Sequence, residues 1–159
     1  MSDVKTTVRY SGGCLCGKVH YEISADPGMT GLCYCESCRK LSGSGHAFHA
    51  MVPESAFRVS GETRGYPWRA DSGNTVTTSF CPNCGSPLFG KSSGYPGMVT
   101  VRVASLDDPT AVAPQMAVFT KRLLKWDHLD PSPVARRGSL GGLPRRGRGG
   151  CRPRWTARG

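Results

Sequence analysis

Apolar and polar residues alternate most cleanly over residues 18–23, where Val19, Tyr21 and Ile23 fall on one side and Lys18, His20 and Glu22 on the other. A period of two is the mark of a half-buried strand. The same period runs through residues 46–52, setting Phe48, Ala50 and Val52 against Ala47, His49 and Met51. Shorter β-like runs follow at residues 7–10, 57–61, 64–68, 75–80, 87–89, 98–103 and 117–120, separated by Gly, Asp, Asn and Pro. Ser11-Gly-Gly13 is expected to end the first of these, and Ala25-Asp-Pro-Gly28 and Ser105-Leu-Asp-Asp-Pro109 have turn chemistry. Helix is expected only from Cys35 to Leu41, about two turns, before Ser42-Gly-Ser-Gly45 stops it. The pattern predicts an all-β domain with little helix. Trp126 is expected to close that domain as a large apolar lid seated in a pocket.

The texture changes at Ser132. Residues 132–159 are rich in Arg, Gly and Pro and have almost no apolar periodicity, a composition that cannot bury enough surface to offset the ordering of the chain. The expected organisation is therefore one domain over residues 1–131 and a basic, disordered tail over residues 132–159. This division changes the meaning of the net charge of +10, since eight of the 21 basic residues are tail arginines and the first 131 residues carry 13 basic against 11 acidic side chains. A near-neutral domain argues against nucleic acid as a partner except through the tail. The opening Met1-Ser-Asp-Val-Lys-Thr-Thr7 has no apolar segment of a signal peptide, and no apolar run approaches the roughly 20 residues of a membrane span. A cytoplasmic protein with no membrane partner is expected.

Eight cysteines in a reducing compartment argue for metal ligation over disulfides, and a C-x-C disulfide would close a strained ring. Three of them, Cys33, Cys35 and Cys38, fall within six positions. Structural zinc takes four ligands, whereas catalytic zinc keeps three and leaves a position open. The triplet reads as an open site, where zinc acts as a Lewis acid and its fourth position takes water or a substrate thiol. The other reading is a second structural site completed by His20, His46, His49 or Asp71, and spacing alone leaves both standing; His46 and His49 read better as strand residues. Cys14-Leu-Cys16 and Cys81-Pro-Asn-Cys84-Gly85 could together form a closed four-cysteine site, or bind metals separately or not at all. Two zinc ions per chain are expected. Arg39 and Lys40 could meet a carboxylate of a thiol substrate, or be a solvated charge pair beside a helix.

Gly13-Cys-Leu-Cys-Gly17, Cys33-Tyr-Cys-Glu-Ser-Cys-Arg-Lys40 with Ser42-Gly43, Phe80-Cys-Pro-Asn-Cys-Gly-Ser-Pro-Leu-Phe89 and Ser105-Leu-Asp-Asp-Pro109, in that order, resemble the glutathione-dependent formaldehyde-activating enzyme family, also called the centromere protein V domain. The resemblance covers roughly residues 10–127 and leaves the tail, with Cys151, outside it. It implies an Mss4-like fold of coiled antiparallel β-sheets stapled by zinc, and a carbon–sulfur lyase. It also implies structural zinc at Cys14, Cys16, Cys81 and Cys84 and catalytic zinc at Cys33, Cys35 and Cys38. The expected substrate is an adduct of a small aldehyde with a glutathione-like thiol, such as S-hydroxymethylglutathione. The alternative is a zinc-stabilised binding module for a protein or nucleic-acid partner, without catalysis.

Overall fold

A computed structural model describes residues 7–129 and the strand Val134–Ala135. The rest of the basic tail, with Cys151, lies outside the described residues. Three strands form one sheet: β1 (Tyr10–Gly13), β2 (His20–Ile23) and β5 (Phe57–Ser60), in the order β1-β2-β5. Eight form the other: β3 (Met29–Cys33), β4 (Ala47–Pro53), β6 (Arg64–Arg69), β7 (Thr75–Phe80), β8 (Pro87–Ser92), β9 (Met98–Arg102), β10 (Met116–Val118) and β11 (Val134–Ala135). Their order is β11-β10-β3-β4-β9-β8-β7-β6. One α-helix, α1 (Glu36–Ser42), joins β3 to β4, as the all-β reading with little helix requires.

The core lies between the two sheets. Val19, Tyr21 and Ile23 on and beside β2 meet Ala50 and Val52 of β4, Leu88 and Phe89 of β8, and Val99 and Val101 of β9. Each fully buried Val, Leu or Ile of this set contributes about 1.5–3 kcal/mol relative to exposure. The period of two then decides what lies behind the large sheet. Since Ala50 pairs with Val101 and Val52 with Val99 on the core side, the partners His49 and Arg102 fall on the opposite face.

Three expectations change and one strand is added. The first strand is Tyr10–Gly13, not residues 7–10: Ser11-Gly-Gly13 is the strand itself, because Ser105 O and the Tyr21 ring approach Gly12 so closely that a Cβ would sit 2.4 Å from them. β3 was not legible as a strand, having a central glycine and no alternation. Gly31 is needed there because a Cβ would lie 2.8 Å from Met116 Cγ on β10. β10 runs parallel to β3 and β11 parallel to β10, so the antiparallel arrangement is not complete. Trp126 is 66% exposed and is no lid; the anchor of that segment is its neighbour Asp127, which accepts from His46 Nδ1 at 2.8 Å. No helix among the described residues is long and apolar enough to cross a membrane.

Candidate functional site

Two cysteine groups stand out, and each gathers its sulfurs within 4.8 Å of one another. The first joins two tight turns far apart in the sequence, one between β1 and β2 and the other between β7 and β8. In the N-terminal turn the Gly17 N–H donates to Cys14 O at 3.1 Å, and Gly17 adopts φ +75°, a left-handed conformation that a side chain would strain. In the second, Gly85 N–H donates to Cys81 O at 2.9 Å with the same φ of +75°. The register of β7 on β8 shifts between Ser79 and Phe80, a bulge that turns the chain just before Cys81.

Backbone and side-chain donors converge on these sulfurs. Val19 N–H donates to Cys14 Sγ at 3.2 Å, and the Ser86 hydroxyl lies 3.2 Å from Cys84 Sγ. Ser86, by its hydroxyl and then its backbone N–H, pulls the Cys84 thiol down to about 5. Two further bonds clasp one turn to the other: Leu15 N–H to Ser86 Oγ at 3.1 Å, and Lys18 Nζ to Asn83 Oδ1 at 3.0 Å. The sulfur separations are 3.5 Å for Cys14–Cys16 and 3.7 Å for Cys16–Cys81. A tetrahedral site with zinc–sulfur bonds of about 2.3 Å requires about 3.8 Å. The four donors fit a closed zinc site.

The second group is local. Cys33 ends β3, Cys35 is the N-cap of α1, and Cys38 lies in its first turn. Cys38 N–H donates to Cys35 Sγ at 3.3 Å, the bond that an N-cap side chain makes to the orphan amides of a helix start. Gly43 ends the helix at φ +67°, its N–H donating to Arg39 O. β3 is held from both sides, with Cys33 opposite Ala47 of β4 and Val118 of β10. Cys33, Cys35 and Cys38 are all half-buried residues, Cys35 being the most open of the three. Hydrogen bonds from the Cys33 and Cys38 thiols push the Cys35 thiol down to about 2, while Cys33 and Cys38 are pushed up.

No fourth His, Cys, Asp or Glu among the described residues joins this group. Of the candidates, His20 is exposed on β2, His46 is engaged by Asp127, and Asp71 pairs with Arg122 at 3.4 Å. His49 comes nearest, its Nε2 3.4 Å from Cys38 Sγ, but it does not share the 4.8 Å group of all three sulfurs. It is a strand residue, as its alternation indicated, and also a neighbour of the centre. The same Nε2 lies 3.3 Å from Nη1 of Arg102, a residue sequence reasoning passed over.

Arg39 and Lys40 flank the helix. Lys40 pairs with Glu36 at 2.8 Å, one turn back along the helix. With Gly43, Ser44, Leu124 and Trp126 these three residues line a cavity of about 440 Å³. Glu36 and Lys40 lie about half a turn of helix from Cys38, whereas Arg39, four residues after Cys35, lies on that residue's side of α1.

A solved structure of a Rhodobacter sphaeroides protein is 26% identical to this chain, with a TM-score of 0.49, covering 65% of this chain and 91% of the other. The family model of the glutathione-dependent formaldehyde-activating enzymes matches residues 9–122, a span that contains both cysteine groups and every strand from β1 to β10. With its ordered cysteines in two groups suited to zinc, the chain belongs to the glutathione-dependent formaldehyde-activating enzyme family.

Proposed function

We propose that the protein is a zinc-dependent carbon–sulfur lyase that makes or breaks the adduct of a small aldehyde with a glutathione-like thiol, S-hydroxymethylglutathione being the type. The observation that carries this reading is the incomplete donor set. Cys33, Cys35 and Cys38 gather three sulfurs with no fourth donor among the described residues, whereas Cys14, Cys16, Cys81 and Cys84 complete their own set. Zinc bound by the triplet supplies Lewis acidity, stabilising the sulfur anion on which formation or cleavage of the carbon–sulfur bond depends.

The chain's own residues supply the rest. β3 and the N-terminus of α1 fix the three sulfurs on one side, and the partly exposed Cys35 marks where a substrate enters. The reaction balances without a redox partner: the thiol loses its proton, its sulfur bonds to the carbonyl carbon, and the carbonyl oxygen takes up a proton; the reverse returns aldehyde and thiol. The four-cysteine site has a structural role. The protein acts in the cytoplasm on a small-molecule thiol, with no membrane partner.

Exchange between free formaldehyde and its glutathione adduct, followed by NMR, tests this. Zinc-loaded protein should accelerate exchange, and Cys35→Ser should return it to the uncatalysed rate while the domain stays folded. Exchange no faster with the protein than without it would overturn the reading.

A further inference from the structure

Arg102 is 9% exposed, a buried guanidinium at the end of β9. None of the ion pairs among the described residues includes it. A buried cation without a counter-charge is strongly destabilising, so the fold must place negative charge near it. Among the described residues its one side-chain hydrogen bond is to His49 Nε2, at 3.3 Å. A guanidinium can only donate, so Nε2 accepts and the ring proton sits on Nδ1, which is buried without a partner. An imidazole is neutral or cationic, never anionic. His49 therefore cannot supply the missing charge.

What lies beyond His49 can. Cys38 Sγ is 3.4 Å from the same Nε2, which places the Arg102 Nη1 within about 7 Å of it. Three thiolates around one divalent ion carry a net charge of about −1, and a fourth thiolate raises this to about −2. In a site of low dielectric the second negative charge is disfavoured unless a cation is fixed nearby. Arg102 is that cation, opposite His49 in the β4–β9 register and on the same face of the sheet.

We propose that Arg102 is a positioning residue whose charge lets the three-cysteine centre accept a fourth, anionic sulfur donor, and that it thereby sets the centre's preference for thiols over neutral ligands. This rests on the reading above, in which a thiol enters the open position. The test uses the full chain loaded with cobalt(II), titrated with 2-mercaptoethanol, which has no charge besides its sulfur, with glutathione, and with imidazole as the neutral ligand. The readout is the sulfur-to-cobalt charge-transfer band. Arg102→Met and Arg102→Gln should weaken 2-mercaptoethanol binding by about 10- to 100-fold, the range found when groups behind metal ligands are removed. Imidazole binding and the spectrum of the four-cysteine site should not change, and Arg102→Lys should keep most of the thiol affinity. If the neutral variants do not fold, the Lys variant carries the test, retained thiol affinity supporting the proposal and its loss overturning it.

Thiol binding by the Met and Gln variants equal to that of the wild type would overturn the proposal. So would equal loss of thiol and imidazole, or a loss confined to glutathione, which would make Arg102 a carboxylate contact. A wild-type centre that ignores every thiol would instead remove the reading of the open site, and this inference with it.

Discussion

The two cysteine centres use the same donor atom in different settings. The four-cysteine centre draws its ligands from turns 65 residues apart, at Cys16 and Cys81, and lies against the core, where Cys81 is fully buried and Cys14 and Cys84 pack on the apolar cluster. It ties the β1–β2 turn of the small sheet to the β7–β8 turn of the large one. The three-cysteine centre lies within residues 33–38, on the rear face of the large sheet, beside a helix with no buried residue. A link that closes a long loop removes far more freedom from the unfolded chain than one within a single turn. On the function proposed above, the first centre holds the fold, and the second, which closes only a short loop, keeps a vacant position for chemistry.

The sharpest way to break this comparison is to remove one ligand from each centre. Cys84→Ser should release one zinc and unfold the domain, because binding free energy at such a site, on the order of 10 kcal/mol, is folding free energy. Zinc content and a circular-dichroism melt would show it, and an unchanged melt would remove the distinction. Cys35→Ser should leave a folded domain with a melting temperature within a few degrees of the wild type, while adduct exchange falls to background. If it unfolds as Cys84→Ser does, both centres are structural.

A smaller effect tests how the three-cysteine side is braced. Asp127 accepts from His46 beside Tyr34, and its segment follows β10, the neighbour of β3. Asp127→Ala should cost about 1–3 kcal/mol, the penalty for leaving a part-buried polar partner unmatched, read as a lower denaturant midpoint. The four-cysteine zinc should be retained. The smallest effect is expected from ending the chain after Asp130, which removes the two-residue β11 and the basic tail. A change in melting temperature beyond about 4 °C, equivalent to about 1 kcal/mol in a chain of this size, would show that the tail helps hold the domain.

Much of this was written locally and could be read locally. The alternation around Tyr21 gave β2, the Ser-Gly stop gave the end of α1, and the ordered cysteines gave both metal groups. What stayed hidden depended on partners distant in sequence. β3 is a strand because β4 and β10 flank it, not because Met-Thr-Gly-Leu-Cys alternates. Gly12 looked like a breaker because nothing nearby in sequence announces Ser105, which meets it across the fold. Arg102 lies 53 positions from His49, and only the register of β4 on β9 brings the pair behind Cys38. Periodicity can show which way His49 points, but not what waits there.

The separation of Cys16 from Cys81 also sets a clock. A chain emerging from the ribosome presents Cys33, Cys35 and Cys38 while Cys81 and Cys84 are still unmade, and at about 5–20 residues per second the interval is several seconds. Through that interval Cys14 and Cys16 form only half a site, and the local triplet is the more complete metal-binding group exposed to the cell. Synthesis thus presents the three-cysteine group first, and completes the four-cysteine group only after Cys84 has emerged.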